Sequence, residues 1–215
     1  MNVPHKNDIS RRQFVSTTAR IAVAISVPVF VSCKDRNNNP PEPVVPPEEE
    51  DCKTTADILG PFYKEGAPFR EDIIPPENTA SPLIVRGKVF GDCETVLKDA
   101  VVEIWNANGE GEYDNGTFEF RGRYKTEQDG GYSFRTIVPG RYLNGAEYRP
   151  SHIHFRITAP GYQELVSQIY FKDDPFIDSD PWAGDPKASE RILTLESDNS
   201  GIDMVAFDIY LIRLA

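Results

Sequence analysis

From residue 83 to the end of the chain, apolar and polar side chains alternate in short runs, each closed by glycine, aspartate or proline. Leu83-Ile84-Val85-Arg86-Gly87-Lys88-Val89-Phe90 ends at the turn Gly91-Asp92. Ala100–Trp105 sets Val101, Glu103 and Trp105 against Val102 and Ile104, and Tyr132–Thr136 follows the turn Gln128-Asp129-Gly130-Gly131. Further runs cover His152–Thr158, Leu165–Phe171, Arg191–Glu196 and Met204–Ile212. A period of two with β-branched and aromatic enrichment is the pattern of half-buried strands. No stretch carries a helical period except a turn or two near Asp185–Glu190. The fold class predicted is all-β: an antiparallel β-sandwich with long active-site loops and little helix.

The first fifty residues break this pattern. MNVPHKNDISRRQFVSTTARIAVAISVPVFVSC has a basic start, the motif Ser10-Arg11-Arg12-Gln13-Phe14, and an apolar run from Ile21 to Val31 interrupted by Pro28. A bilayer span needs about 20 apolar residues, so the run suits the h-region of a twin-arginine signal peptide. It ends in Phe30-Val31-Ser32-Cys33, which resembles the lipobox of bacterial lipoproteins, whose cysteine is lipidated and becomes the new N-terminus. An uncleaved anchor and a Sec signal are the alternatives. Residues 34–53 are rich in asparagine, proline and acid. They cannot bury enough apolar surface to offset chain entropy and read as a disordered tether. Residues 54–215 then form one domain, long enough for a core of its own. The expected protein is exported, anchored by its lipid, and faces the periplasm or the cell surface.

Charge and cysteines narrow the partners. The formal net charge is −11; residues 1–33 hold four Lys/Arg and one Asp, a balance of +3, so the chain after the signal stands near −14. Such a chain does not neutralise phosphates, which excludes nucleic acid. Membrane contact would come only through a lipid on Cys33. Cys52 and Cys93 remain, and an exported domain with one pair is expected to join them, clipping the N-terminal arm to the domain. Two free buried thiols are the alternative.

Candidate chemistry sits in Tyr148-Arg149-Pro150-Ser151-His152-Ile153-His154-Phe155. The chain has three histidines, and only these two follow the signal. Side chains at i and i+2 of a strand share a face, with Cα atoms roughly 6.5–7 Å apart, so His152 and His154 can lean toward one point. Two satisfied, half-buried imidazoles would look the same. A metal site needs further ligands, and a third histidine is unavailable. Carboxylates are abundant but mostly in loops and the tether. Tyrosine is left: Tyr113 in the glycine-rich Asn108–Asp114 loop, and Tyr142 in Pro139-Gly140-Arg141-Tyr142. Either could equally be a surface or hinge aromatic. A phenol normally titrates near ~10, and a hard, strongly charged cation such as Fe(III) is what holds two as phenolates.

Leu59-Gly60-Pro61-Phe62-Tyr63, the strand AVVEIWNANGEGEY, the segment RGRYKTEQDGGYSFRTIVPGRY, the core RPSHIHF and the following SQIYF together resemble the intradiol ring-cleavage dioxygenases. The resemblance runs from about Leu59 to the last strand and is nearer to the protocatechuate 3,4-dioxygenase type than to the catechol 1,2-dioxygenases, whose long helical N-terminal region has no counterpart. It implies a non-haem Fe(III) held by Tyr113, Tyr142, His152 and His154. It implies that Tyr142 is released when substrate chelates the iron, that Arg149 stabilises negative charge on the substrate, and that Gln168 shapes the substrate and oxygen pocket. Gly60 and Pro61 would border that pocket. For Arg149 the alternative is a surface arginine paired with Glu147 or Glu164.

The activity implied is insertion of both atoms of O2 into a catechol-type ring, giving a cis,cis-muconate-type product. The partners are then a small catechol-type molecule and O2, with a homo-oligomer compatible. GKVFGDCETVLKDAVVEIW and DGGYSFRTIVPGRY also resemble the transthyretin-like and carboxypeptidase-regulatory β-modules, on which reading the histidines pack and the protein is a secreted, non-catalytic binding module.

Overall fold

A computed structural model describes residues 52–215. The signal segment expected at 1–33 and the expected tether up to residue 51 lie outside the described residues.

Twelve strands form: β1 (Pro82–Phe90), β2 (Val101–Trp105), β3 (Arg121–Lys125), β4 (Gly131–Ile137), β5 (Leu143–Asn144), β6 (Glu147–Tyr148), β7 (His152–Thr158), β8 (Leu165–Phe171), β9 (Ile192–Leu193), β10 (Glu196–Ser197), β11 (Asp203–Ala206) and β12 (Ile209–Tyr210). One five-stranded sheet runs β10-β11-β1-β12 with β4 on β1, and the other runs β3-β2-β7-β8-β9; β5 and β6 make a small hairpin apart. The alternation read along the chain is what fills the space between them. Leu83, Val85, Val89 and Phe134 from one sheet meet Val102, Ile104, Ile153, Phe155, Ile157 and Ile169 from the other, all fully buried. Each such side chain contributes roughly 1.5–3 kcal/mol of transfer free energy.

The sheets are mixed rather than antiparallel. β11 and β12 run parallel to β1, and β9 runs parallel to β8. The long connections from β1 to β11 and from β8 to β9 permit this, since parallel neighbours need a crossover and not a tight turn. Two expected strands are split. Met204–Ile212 breaks at Phe207–Asp208, where the Asp208 carboxylate accepts the Lys88 N–H at 2.8 Å in place of a ladder carbonyl. Arg191 belongs to a 3-10 helix, Pro186–Arg191, so Arg191–Glu196 is reduced to the short β9 and β10. β3 was not expected. Cys52 and Cys93 are disulfide-bonded, tying the start of the described chain to the segment after β1. Among the described residues no helix is long and apolar enough to cross a membrane.

Candidate metal centre

Because Ile153, Phe155 and Ile157 are spent on the core, His152 and His154 of β7 stand on the other face of their sheet. Register places His152 beside Tyr170, and His154 between Trp105 and Gln168. In an ordinary two-layer sandwich that face is wet. Here an N-terminal arm, residues 54–63, covers it. Asp57 N–H donates to the Val166 carbonyl at 2.8 Å, Phe62 stacks on Tyr113 with ring centroids 4.4 Å apart, and Tyr63 meets the Trp105 ring edge-on at 5.1 Å. The result is a buried polar row, with His152 3% and His154 2% exposed.

Three of the four proposed ligands converge. The Tyr113 hydroxyl lies 3.0 Å from His152 Nε2 and 3.1 Å from His154 Nε2. Tyr113 reaches them from a loop shaped by Asn108, whose Oδ1 accepts the N–H groups of Glu110 and Glu112 at 3.0 and 2.9 Å. Gly111 adopts φ +84°, and a Cβ there would sit 2.1 Å from the Arg141 carbonyl. Glycine is therefore what lets the Tyr113 loop press against the Arg141-Tyr142 backbone.

Tyr142 is brought alongside but not in. Its ring stands perpendicular to Tyr113 at a centroid separation of 5.9 Å, half-buried, with its hydroxyl donating to Asn144 Oδ1 at 3.3 Å. Gly60, at φ +73°, lies over His154, where a Cβ would meet the ring Cε1 at 3.0 Å. Pro61 follows it, exposed, at the turn leading to Phe62.

Arg149 is not a surface arginine. It is 5% exposed, its Nε and Nη2 donate to the two Asp180 carboxylate oxygens at 2.8 and 3.3 Å, and Nη2 also donates to the Tyr170 hydroxyl at 3.1 Å. The indole of Trp182 lies under the guanidinium at 4.4 Å. Glu164 pairs instead with Arg156, at 2.7 Å. Gln168 is fully buried, its Nε2 donating to Asp57 Oδ1 at 3.2 Å and to the Ile58 carbonyl at 2.8 Å. A cleft of about 600 Å³ lined by Arg141, Tyr148, Ser151, Lys172 and Phe176 lies beside the centre and contains none of the four ligand candidates.

The electrostatics favour neutral imidazoles. Burial, and then the nearby Arg149 charge, push His152 down to about 4. Burial, His152 and Arg149 hold His154 well below the usual histidine range. Burial likewise drives the Tyr113 phenol well above its ordinary range, against the pull of Arg149 and Arg121. The His152 tautomer is fixed, since Nδ1 lies 2.6 Å from the Pro150 carbonyl and must donate to it, which turns the Nε2 lone pair inward.

These residues fit a cation. Without one, the inward Nε2 atoms of both buried imidazoles have the single Tyr113 hydroxyl as their hydrogen-bond partner. With one, both Nε2 lone pairs and the phenolic oxygen face a common charge. Among the described residues no group of three His, Cys, Asp or Glu side chains is placed to hold a metal, so a donor set at this centre would have to include phenols. Two imidazoles with phenolic oxygens make a set of nitrogen and hard oxygen donors suited to a high-valent first-row ion.

What the fold and site define, then, is a β-sandwich built around one buried histidine–tyrosine centre. The Dioxygenase_C family model, described as dioxygenase, matches residues 58–213, and the chain belongs to the intradiol dioxygenase family. It is 34% identical to catechol 1,2-dioxygenase 2 of Acinetobacter lwoffii over 58% of this chain and 53% of that enzyme. It is 36% identical to 6-chlorohydroxyquinol 1,2-dioxygenase of Cupriavidus pinatubonensis over 61% of this chain and 55% of that enzyme. The chain thus spans about half the length of these curated relatives. Among solved structures, the dioxygenase domain of a dioxygenase carbohydrate-binding protein fusion from Streptomyces sp. SirexAA-E superposes with a TM-score of 0.67 at 32% identity, over 75% of this chain and 99% of that one. The 3-chlorocatechol 1,2-dioxygenase of Rhodococcus opacus 1CP gives 0.68 at 26%, over 76% and 75%. Three of these four relatives carry catechol, 6-chlorohydroxyquinol or 3-chlorocatechol in their names. A non-catalytic binding module is not favoured, because the two histidines are the middle of a polar centre and not packing residues.

Several residues of the centre escaped the sequence reading. Trp105 stacks on His154, Tyr170 links Arg149 to Gln168, and Asp57 and Asp180 hold these from either side. Period two placed Trp105 on the face opposite Val102 and Ile104. The two aspartates stand in acid-rich loops and look like any other solvated carboxylate.

Proposed function

We propose that the chain is a non-haem Fe(III) intradiol dioxygenase, taking a catechol-type diol and O2 and opening the ring between its two hydroxylated carbons to a cis,cis-muconate-type product. The convergence of His152 Nε2 and His154 Nε2 on the Tyr113 hydroxyl, at 3.0 and 3.1 Å, carries the reading. These three and Tyr142 would hold the ferric ion, which when bound supplies a Lewis acid that draws electron density from the chelated diol. The chain's own groups do the rest. Tyr142 is half-buried, and among the described residues its hydroxyl bonds only Asn144; as a phenolate it would be the ligand that leaves and takes a catechol proton at its oxygen. Arg149 uses Nε and Nη2 on Asp180 and Tyr170, which leaves Nη1 for negative charge developing on the substrate. Phe62, Gly60 and Trp105 close the centre against water.

Elemental analysis of purified protein should find one iron per chain with a red-brown phenolate-to-ferric absorption. Oxygen uptake against catechol, hydroxyquinol and protocatechuate, with mass analysis of products, should show both oxygen atoms in a ring-opened diacid. A colourless, iron-free protein inert to all three overturns the reading.

Export and lipidation on Cys33 are proposed with it. The Cys52–Cys93 disulfide supports folding in an oxidising compartment. Replacing Arg11 and Arg12 together by lysine should leave the protein in the cytoplasm if the twin-arginine route is used.

A further inference from the structure

The two polar groups beside the ligands, Arg149 and Gln168, are tied to one another and to a single carboxylate on the N-terminal arm. The Tyr170 hydroxyl accepts from Arg149 Nη2 at 3.1 Å and lies 2.8 Å from Asp57 Oδ2 and 3.2 Å from Gln168 Oε1. Asp57 Oδ1 accepts from Gln168 Nε2 at 3.2 Å, and Oδ2 also accepts from Arg191 Nη1. Arg191 is anchored in turn, donating to Thr55 Oγ1 and the Gln168 carbonyl, each at 3.0 Å. The Asp57 side chain is wholly buried and that of Arg191 is 3% exposed.

We propose that Asp57 is a positioning residue for Arg149 and Gln168, acting through the Tyr170 hydroxyl; this rests on the function proposed above. Hydrogen-bond chemistry leaves the Gln168 amide one orientation. The carboxylate of Asp57 and the carbonyl of Ile58 can only accept, so the Gln168 amide must turn its NH2 to the arm and its oxygen to Tyr170. Tyr170 accepts from a permanent cation and has one proton left, which goes to Asp57 or Gln168, never back to Arg149. The guanidinium is thereby caught between Asp180 on the loop after β8 and Tyr170 on the strand. A buried ion pair such as Asp57–Arg191 gives little net stability over a well-packed apolar pair, because desolvation of both charges opposes the attraction. Its place between arm and centre makes orientation the better account. The same arm carries Gly60 onto His154 and Phe62 onto Tyr113, so the carboxylate seats the arm as it orients the amide.

The test uses the iron-loaded full-length protein, three single variants and the double variant Asp57→Asn/Tyr170→Phe. Tyr170→Phe removes one oxygen and keeps both ions. Asp57→Asn leaves Arg191 without a counter-charge and can fail to fold, in which case Tyr170→Phe alone decides. Ser167→Ala removes another arm contact, the hydroxyl donating to the Thr55 carbonyl at 2.9 Å, and controls for a merely structural role. Iron content, Tm, anaerobic absorbance titration with 4-nitrocatechol, and kcat for oxygen uptake are read for each. Tyr170→Phe should keep its iron and bind 4-nitrocatechol within about threefold of wild type while kcat falls by about tenfold or more, the split expected when a group is held for the transition state and not for the ground state. Ser167→Ala should lower Tm and leave kcat unchanged. The double variant should be no slower than Asp57→Asn alone. Wild-type turnover with an unimpaired Tyr170→Phe, or a kcat loss matched by Ser167→Ala, overturns the inference alone. A wild type that turns over no catechol overturns the proposed function and takes the inference with it.

Discussion

Trp105 lies flat on His154, their ring centroids 4.7 Å apart and their planes within 7°. The two residues are cross-strand neighbours on β2 and β7, so the sheet itself fixes the imidazole plane from below. Trp105 also carries a buried Nε1 with no hydrogen-bond partner, which marks it as held for its shape and not for its donor. Trp105→Phe, which keeps a flat face and deletes the orphaned donor, should cost about 1 kcal/mol and keep iron. Trp105→Ala should cost roughly 3–5 kcal/mol, a fall in Tm of roughly 6–20 °C for a domain of this size, and release iron to a chelator faster. Thermal unfolding and chelator-competition rates check both.

The other side of the same imidazole is closed by backbone. With φ +73° and a Cβ that would meet His154 Cε1 at 3.0 Å, Gly60 tolerates no side chain without moving the ring or the arm. Gly60→Ala should lose roughly 1–2 kcal/mol from left-handed backbone strain, and iron affinity should fall with it because the displaced group is a proposed ligand. Iron retention and Tm close to wild type would show that the arm lifts off easily.

Much of this centre is written in the sequence, and the reasons for what is not are physical. The histidines are legible because a strand repeats every second residue, whereas Tyr113 and Tyr142 stand out among nine tyrosines only through the resemblance to the intradiol dioxygenases. β3 is not legible. Its core-facing position opposite Ile104 is Gly122, where a Cβ would lie 2.5 Å from Ile73, so the apolar side chain that should mark the strand is supplied by a distant loop. Parallel pairing of β11 and β12 with β1 depends on where the chain returns, which no single strand encodes. Asp57 and Asp180 differ from two dozen solvated acids only in being covered, and covering is a tertiary fact.

Asp180 makes a testable link between pH and stability. Burial pushes its carboxyl up, but the hydrogen bond from Arg149 and the amides of Ala183 and Trp182 outweigh this and hold it below the usual carboxylate range. A carboxyl with a depressed folded-state pKa contributes stability that is present above its unfolded value, near ~3.9, and is lost as pH falls through the folded one. Asp180→Asn should therefore be less stable at neutral pH and show a flatter acid limb below about pH 4. Asp180→Ala, which strands the buried guanidinium, should cost roughly 3–5 kcal/mol. Urea midpoints between pH 3 and pH 7 measure the slope.

The Cys52–Cys93 bond spans 41 residues of chain. Closing a loop of that length removes enough freedom from the unfolded state to stabilise by roughly 2–4 kcal/mol. Because Cys52 stands two residues before the arm that covers the centre, dithiothreitol should lower Tm and also increase proteolysis within residues 52–63. Cutting of reduced protein elsewhere first, with the arm intact, would mean that the arm's own hydrogen bonds suffice to hold it.

The two candidate phenolates should behave differently, because the fold treats them differently. Tyr113 is buried, stacked by Phe62, and within 3.1 Å of both imidazoles. Tyr142 is half-buried beside the β5–β6 hairpin, and among the described residues its hydroxyl bonds only Asn144. A phenol fixed on three sides resists displacement, whereas one held by a single exposed bond at 3.3 Å exchanges readily with an incoming ligand. Tyr113→Phe should bind little iron and lose most of the visible absorption. Tyr142→Phe should retain iron, shift the absorption, and lose most of its turnover, because the proton acceptor is gone while the site stands. Tyr124 bonds Glu127 and Tyr162 bonds Arg213, both away from the centre, so Tyr124→Phe and Tyr162→Phe should leave the absorption unchanged. The reverse order, with Tyr142→Phe colourless and Tyr113→Phe coloured, would mean that Tyr142 is the permanent ligand and that the buried phenol is the one that gives way.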